Sequence, residues 1–287
     1  MAFGIVLVSA SGATDSTVIL DYAFNLAKNL ASHLQVVHVR ADPRETIPVL
    51  GEGMSVGMID DMTRIAEEEC SSRQTRARAN FDECLIKYLT QETDIPSAAG
   101  NTVCWTKTRG REDEVVAKLG RLADVIIVPR PNVESAVGHT LTLNAALFET
   151  GRPVLVVPPK GAREIGKKIV VSWNGSAQSA RAVSSALPIL RNADEVNVFT
   201  IESKRTTVET SLGVSEYMAY HGVSCLVHKL SGNGSSVGES LLKEADFVGA
   251  DIIVMGAYTH SRMRQLILGG VTRHVLEHSD IPLLMAH

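Results

Sequence analysis

The sequence predicts two open α/β sheets of mainly parallel strands, one after the other in a single chain. Three observations carry that expectation. The first is an internal repeat. Val6-Leu7-Val8-Ser9 is followed one residue on by Ser11-Gly12, and Ile169-Val170-Val171-Ser172 is followed at the same interval by Asn174-Gly175. Further along, Ala123-Asp124-Val125-Ile126-Ile127-Val128 matches Ala250-Asp251-Ile252-Ile253-Val254-Met255, and both halves close on a proline-led apolar strand, residues 153–157 and 282–286. Three matches in the same order mark a duplication. The second observation is that strand candidates such as residues 34–39 and 196–201 run apolar without strict alternation, as strands covered on both faces do. The third is that helical segments, such as residues 17–30 and 177–190, fall between the strands. Strand–helix alternation with right-handed crossovers builds a five-stranded sheet flanked by helices in each half.

A length of 287 residues suits two domains. Their expected spans are residues 1–160 and 161–287, divided where Pro158-Pro159-Lys160-Gly161 cannot continue a strand. The first half is longer because of residues 42–91. There Ile59, Met62, Ala66, Cys70, Ala77, Phe81, Leu85 and Tyr88 recur at helical spacing, which predicts one long amphipathic helix, from about residue 55 to 91 by this periodicity. The expectation is that it covers the sheet and turns a charged face outward.

Composition excludes several classes. Hydrophobic residues make up 45% and charged residues 21%, which is a core-forming chain and not a disordered one. There are 28 basic and 32 acidic residues, and residues 166–287 hold 11 of each, so neither half is basic. A nucleic-acid binder that works by phosphate neutralisation is not expected. No apolar run approaches the ~20 residues of a membrane span, and the first residues lack the basic segment of a secretory leader. Cys70, Cys84, Cys104 and Cys225 form no CxxC pair, so neither a redox motif nor a zinc ribbon is indicated. They read as small buried apolar residues in a reducing compartment, the cytoplasm.

The richest stretch runs from Met255-Gly256 through Thr259, His260, Arg262 and Arg264 to Gly269-Gly270-Val271-Thr272. Gly256 stands at the carboxyl end of a predicted strand, where open α/β sheets bind their ligands. Gly269-Gly270 precede a helical run over residues 271–277, whose first N–H groups would face an anion with the helix dipole behind them. Glycine there leaves room for a phosphate. A turn and a helix start account for the same glycines, so the residues alone leave both readings open.

At this point the chain resembles a family, the universal stress proteins, present as two domains in one polypeptide. The nucleotide-binding branch of that family carries a glycine after the fourth strand, a second three residues on, and a third thirteen residues from the first, followed by Ser or Thr. Gly256 and Gly269 stand thirteen apart, Thr259 takes the middle place, and Gly270 stands for the Ser or Thr. The family's Asp-Gly-Ser turn after the first strand has its counterpart in Asn174-Gly175-Ser176. The resemblance spans nearly the whole chain twice, more loosely in the first half. It implies a Rossmann-like fold of the adenine-nucleotide alpha-hydrolase type, and ATP or another adenine nucleotide, with Mg²⁺, as the ligand. The implied cofactor-binding set is Ser172, Trp173, Asn174, Gly175, Ile201, Met255, Gly256, Thr259, His260, Gly269, Gly270, Val271 and Thr272. Pairing through the terminal strand, as in the family, implies an intramolecular pseudo-dimer, with a homodimer of chains as a further form.

The departures have physical content. Asn174 keeps an amide for a ribose hydroxyl or a water but loses a carboxylate that would help hold a metal. Thr259 disfavours positive φ and narrows the loop. Gly270 keeps its N–H, and Thr272 offers a hydroxyl two residues on. Arg262 and Arg264 read as solvated surface charge. The first half has Pro129-Arg130-Pro131 where the repeat places Gly256, and Thr140-Leu141-Thr142-Leu143 in place of the glycine pair. Proline removes a donor and fixes φ, so a single site per chain, in the second half, is expected.

Three further motifs have plainer accounts. Gly234-Ser235-Ser236-Val237-Gly238 matches a hydrolase elbow, but its serine lies well past the strand end, and Ser236 with Glu239 fits a helix capping box. His274-Val275-Leu276-Glu277-His278 matches an H-x-x-E-H zinc pattern, yet only Asp280 and His287 remain downstream as a third ligand, so histidines at a helix end are the simpler account. The stretch from Ser11 to Thr17 lacks the lysine of a phosphate loop, and Ser16 or Thr14 reads as a helix cap.

Two functional readings follow. One is a stress-response protein that binds an adenine nucleotide in its second domain and has no catalytic constellation. The other is an interaction platform that binds none. A slow ATPase is a third, for which His260 is the sole candidate base.

Overall fold

The computed structural model describes residues 3–13, 16–42, 56–95, 100–131, 136–161, 164–201, 208–230, 236–257 and 270–287. The first half contains β1 (Ile5–Ser9), α1 (Ser16–Leu30), β2 (His33–Arg40), α2 (Val56–Tyr88), β3 (Thr102–Arg109), α3 (Glu112–Gly120), β4 (Val125–Pro129), α4 (Ala136–Glu149) and β5 (Val154–Val157). The second contains β6 (Lys168–Trp173), α5 (Ala177–Leu190), β7 (Glu195–Ile201), α6 (Val208–Tyr220), β8 (Leu226–Leu230), α7 (Val237–Phe247), β9 (Ile252–Gly256), α8 (Gly270–His278) and β10 (Leu283–Ala286).

All ten strands form one sheet, in the order β3-β2-β1-β4-β5-β10-β9-β6-β7-β8. Every neighbouring pair is parallel except β5 with β10, which run antiparallel with Leu155 opposite Leu284. Each half is therefore an open five-stranded sheet, and the expected pairing of the two proline-led strands fuses them. β5 and β10 are buried at every position. Left unpaired, such strands would expose both apolar side chains and open backbone groups.

Because side chains alternate across a strand, neighbours along β1 enter opposite cores. Val6 and Val8 pack on one face with Leu20, Phe24 and Val36, and Leu7 packs on the other with Val37 and Ile126. Both cores run through the two halves. The repeated Ala-Asp pair has a structural role that pattern reading missed. Asp124 accepts the N–H groups of Gly4 and Ile5 at 2.7 and 3.0 Å, and Asp251 accepts those of Gly166, Lys167 and Lys168 at 2.8, 2.8 and 2.9 Å. In each half one carboxylate ties the entry of the first strand to that of the fourth. Burial raises the Asp251 pKa against those hydrogen bonds.

The long helix is present, but only its last third covers the sheet. Ala77, Phe81 and Cys84 are buried. Phe81 lies 5.9 Å from Phe24 and 5.0 Å from Trp105, ring to ring, and Arg78 stands over both Phe81 and Trp105 while pairing with Asp82 and Glu92. Lys87 bonds Asp21 of α1 at 2.7 Å. Burial pushes the Cys84 thiol up to about 12. The expectation that Ile59 and Met62 continue this covered stripe is corrected: Met58, Ile59, Met62 and Ile65 are exposed, while Ala66 and Cys70 are half-buried. At 1.5 Å per residue the 33-residue helix is about 50 Å long, twice the reach of an eight-residue strand at about 3.3 Å per residue. Its amino-terminal turns extend past the sheet they were expected to cover. The cysteines need a second correction: only Cys84 is buried, and Cys70, Cys104 and Cys225 are half-buried free thiols.

Candidate functional site

In the second half β6 ends at Trp173, and the chain turns through Asn174 and Gly175 into α5. Asn174 Oδ1 accepts the Ser176 N–H at 3.1 Å, Gly175 takes φ 68°, and Ser176 caps the helix by accepting the Ser179 N–H at 3.1 Å. The asparagine thus closes the turn as an aspartate would. Asn174 and Gly175 are exposed, while Ser172 and Trp173 are half-buried. Trp173 Nε1 is buried and has no acceptor among the described residues.

β9 lies beside β6, with Met255 in register with Ser172. Gly256 follows at the carboxyl edge. A Cβ on it would fall 2.6 Å from the Ser179 nitrogen and 2.7 Å from the Gln178 carbonyl carbon, so the first turn of α5 packs on its bare Cα. Packing alone requires glycine here, whatever approaches from solvent. Since β10 runs parallel to β9, the intervening α8 starts at the same carboxyl edge. Gly270 is exposed, its missing Cβ meets nothing within 4 Å, and Val271 and Thr272 complete the first turn, with Thr272 buried.

The structure therefore gathers Ser172, Trp173, Asn174, Gly175, Met255 and Gly256 at one edge, with Ile201 at the end of β7 and Gly270–Thr272 opening α8. Thr259, His260, Arg262, Arg264 and Gly269 lie outside the described residues. Asn174 offers a metal ion one neutral oxygen, already bonded to the Ser176 N–H, and Mg²⁺ sites ordinarily use carboxylates and phosphates. The turn does not fit as a magnesium ligand. Among the described residues the edge presents the first N–H groups of α8 and a buried donor without an acceptor, groups that suit an anion.

The first half treats the matching places differently. Gly12, at φ 71°, is buried in the turn after β1; its N–H bonds Ser16 Oγ at 2.9 Å and its carbonyl accepts Arg76 Nε at 3.1 Å. A Cβ there would lie 2.1 Å from the Arg73 carbonyl oxygen, so α2 roofs this turn directly. Ser16 does not cap α1 as expected; it is the first helical residue, and its hydroxyl serves the turn. Thr14 lies outside the described residues. Pro129 stands beside Val18, Ile19 and Val157, where only about 10 Å³ remains, barely one water. Arg130 reaches into the second half and donates to the Ser279 carbonyl just past α8.

Two other motifs meet each other. Ser236 accepts the Glu239 N–H at 3.2 Å as the cap of α7. Gly238, from the same motif, packs against the His274 ring of α8. His278 Nδ1 bonds the His274 carbonyl one turn back at 2.9 Å, and the two rings stack at 4.4 Å.

Residues 166–287 match the model of the universal stress protein family. A universal stress protein of Synechocystis is 22% identical over 97% of this chain and 98% of its own length. A universal stress protein from Archaeoglobus fulgidus has the same fold over 98% of this chain and 97% of its own, with a TM-score of 0.65 at 16% identity. A protein of unknown function from Pseudomonas aeruginosa aligns over 99% of this chain and 92% of its own, with a TM-score of 0.57 at 14% identity.

Proposed function

We propose that this chain, a universal stress family protein through its second half, binds one adenine nucleotide per chain at the carboxyl edge of β6 and β9. The observation that carries the reading is a convergence among the described residues: the exposed Asn174-Gly175 turn, Gly256 at the end of β9 and the amino terminus of α8 share one edge, while Gly12 in the first half is roofed by α2. Helix N–H groups and a partial positive charge suit a phosphate, and Trp173 Nε1 offers a buried donor that lacks a partner among the described residues. Metal, where present, arrives with the phosphates.

The reading is of a binding protein in stress adaptation, with no reaction assigned to it. Two halves joined through β5 and β10 make the chain its own dimer. Among the described residues no helix is long and apolar enough to cross a membrane, and all four cysteines are free thiols, which supports a cytoplasmic site of action. The competing platform reading has one observation in its favour, the exposed stripe of Met58, Ile59, Met62 and Ile65.

Heat-denaturing the purified chain and assaying the supernatant for adenine nucleotide, followed by calorimetry with ATP, separates the two readings. One site per chain is expected. Gly270→Val is the diagnostic variant, because among the described residues outside its own helix turn nothing lies within 4 Å of a Cβ built there, so the fold should tolerate it while the phosphate approach is blocked. Two equivalent sites, or unchanged affinity in Gly270→Val, would move the site elsewhere; no binding with ATP in excess leaves the platform. Hydrolysis by the purified chain above background would overturn the absence of a reaction.

A further inference from the structure

The first half has a cleft of about 240 Å³ at the amino-terminal edge of its sheet, far from the turn after β1, where α1 and α2 end and β2 and β3 begin. Phe24, Leu34 and Val103 form its buried floor, and Phe24 stacks on Tyr88 at 5.4 Å with 22° between the rings. That pairing makes the wall flat.

Backbone strain gathers around this cleft. Among the described residues three that are not glycine take positive φ: Ala31 at 53°, Leu89 at 53° and Asn101 at 52°. Leu89 and Asn101 line the cleft, and Ala31 sits between Lys28 and Ser32, which also line it. Ala31 and Leu89 terminate α1 and α2, where Ser32 N–H bonds Ala27 O at 2.9 Å and Thr90 N–H bonds Leu85 O at 3.1 Å. Glycine ordinarily takes such a position. A leucine is disfavoured there, and with 91% of its surface exposed it gains nothing from burial in the protein. The cleft gives that side chain an apolar contact once something occupies it.

Charge selects the occupant. Two helix carboxyl termini face the cleft with partial negative charge, which opposes an anion, while Lys28 at the mouth opposes a cation. The Ser32 hydroxyl is spent on the Phe3 carbonyl at 2.8 Å and that of Thr90 on the Tyr88 carbonyl at 3.4 Å, which leaves the exposed Asn101 amide as the hydrogen-bonding side chain offered to an occupant among the described lining residues. The volume is below the roughly 300–1,000 Å³ of drug-sized ligand sites. We propose that this cleft binds a small, flat, uncharged aromatic molecule with a hydrogen-bond donor on its edge, of the size of phenol or indole.

The test is to titrate the full-length chain with indole and phenol while recording backbone amide shifts, with benzoate and benzylammonium at the same concentrations. The expected result is saturable shifts centred on Leu34, Leu89 and Val103, with each charged probe weaker by about threefold or more. Leu89→Gly should leave thermal stability equal or higher, because it relieves the left-handed strain, and weaken indole binding about tenfold. Asn101→Gly, equally compatible with its backbone, should weaken it less. Shifts elsewhere or none at all, charged probes that bind as well, or Leu89→Gly binding indole like the parent chain would each overturn the proposal.

Discussion

The turn after β1 and the turn after β6 start from matching motifs and end in opposite circumstances. Ser11-Gly12 is closed from above: α2 lays Arg73 on the Gly12 Cα and bonds its carbonyl through Arg76. Asn174-Gly175 closes on itself through an asparagine side chain and stays open to solvent. The fourth strands repeat the contrast. Gly256 admits the first turn of α5, whereas Pro129 is packed among side chains and sends Arg130 across the molecule to the far half. One duplicated fold has made its first copy a partner for its second. The difference comes not from the strands, which are nearly interchangeable, but from a 33-residue helix in one half and a 13-residue helix at the same place in the other.

The contrast breaks most severely if α2 is released. Phe81 is fully buried between Phe24 and Trp105, and Phe81→Ala should destabilise the chain by about 3–5 kcal/mol, read from chemical denaturation. Amide exchange in the same variant should rise around Gly12 and stay unchanged around Gly175. Exchange that rises equally at both turns would mean that the roof does not distinguish the halves.

A pair of glycine substitutions compares the turns directly. Gly12→Ala combines left-handed strain with a Cβ 2.1 Å from a backbone oxygen, and should destabilise by more than about 2 kcal/mol. Gly175→Ala carries the strain in an exposed turn, and about 1 kcal/mol is expected. Equal effects would contradict the packing described for the first turn.

The smallest effect concerns the carboxylates that tie strand entries. Asp251 has its pKa raised by burial, with the hydrogen bonds from Lys168, Gly166 and Lys167 opposing. A raised folded pKa means that the stability gained from this group is full below the unfolded pKa and is lost as pH rises through the folded one. Replacing it in Asp251→Asn should therefore flatten the part of the stability profile that falls as pH rises above the ordinary aspartate range, in denaturation series run at fixed ionic strength. An unchanged slope would show that the hydrogen bonds fully offset the burial.

Much of this was legible in the residues. The repeat, the strands and the helix over residues 177–190 followed from apolar runs and turn residues, because those signals are local. The Ser236 cap was legible for the same reason. The site was only half legible. Gly256 was identified from its place after a strand, but the reason it must be glycine, contact with Gln178 and Ser179, joins residues almost eighty positions apart. Asp124 and Asp251 stood in plain view within the repeat, yet their partners lie at the starts of other strands.

By itself the sequence determined what depends on neighbours along the chain: two copies of one α/β pattern, a slightly acidic net charge, and two terminal strands too apolar to stay unpaired. Tertiary structure alone decided which ends of that pattern stay open. Periodicity states that residues 56–88 form a helix with an apolar stripe, but not where the sheet beneath it stops, so it could not tell the buried Phe81 from the exposed Ile59. Nor could it tell that the same helix would close the first turn, because a helix propagates by contacts three and four residues apart, while a roof is a contact between Gly12 and Arg73.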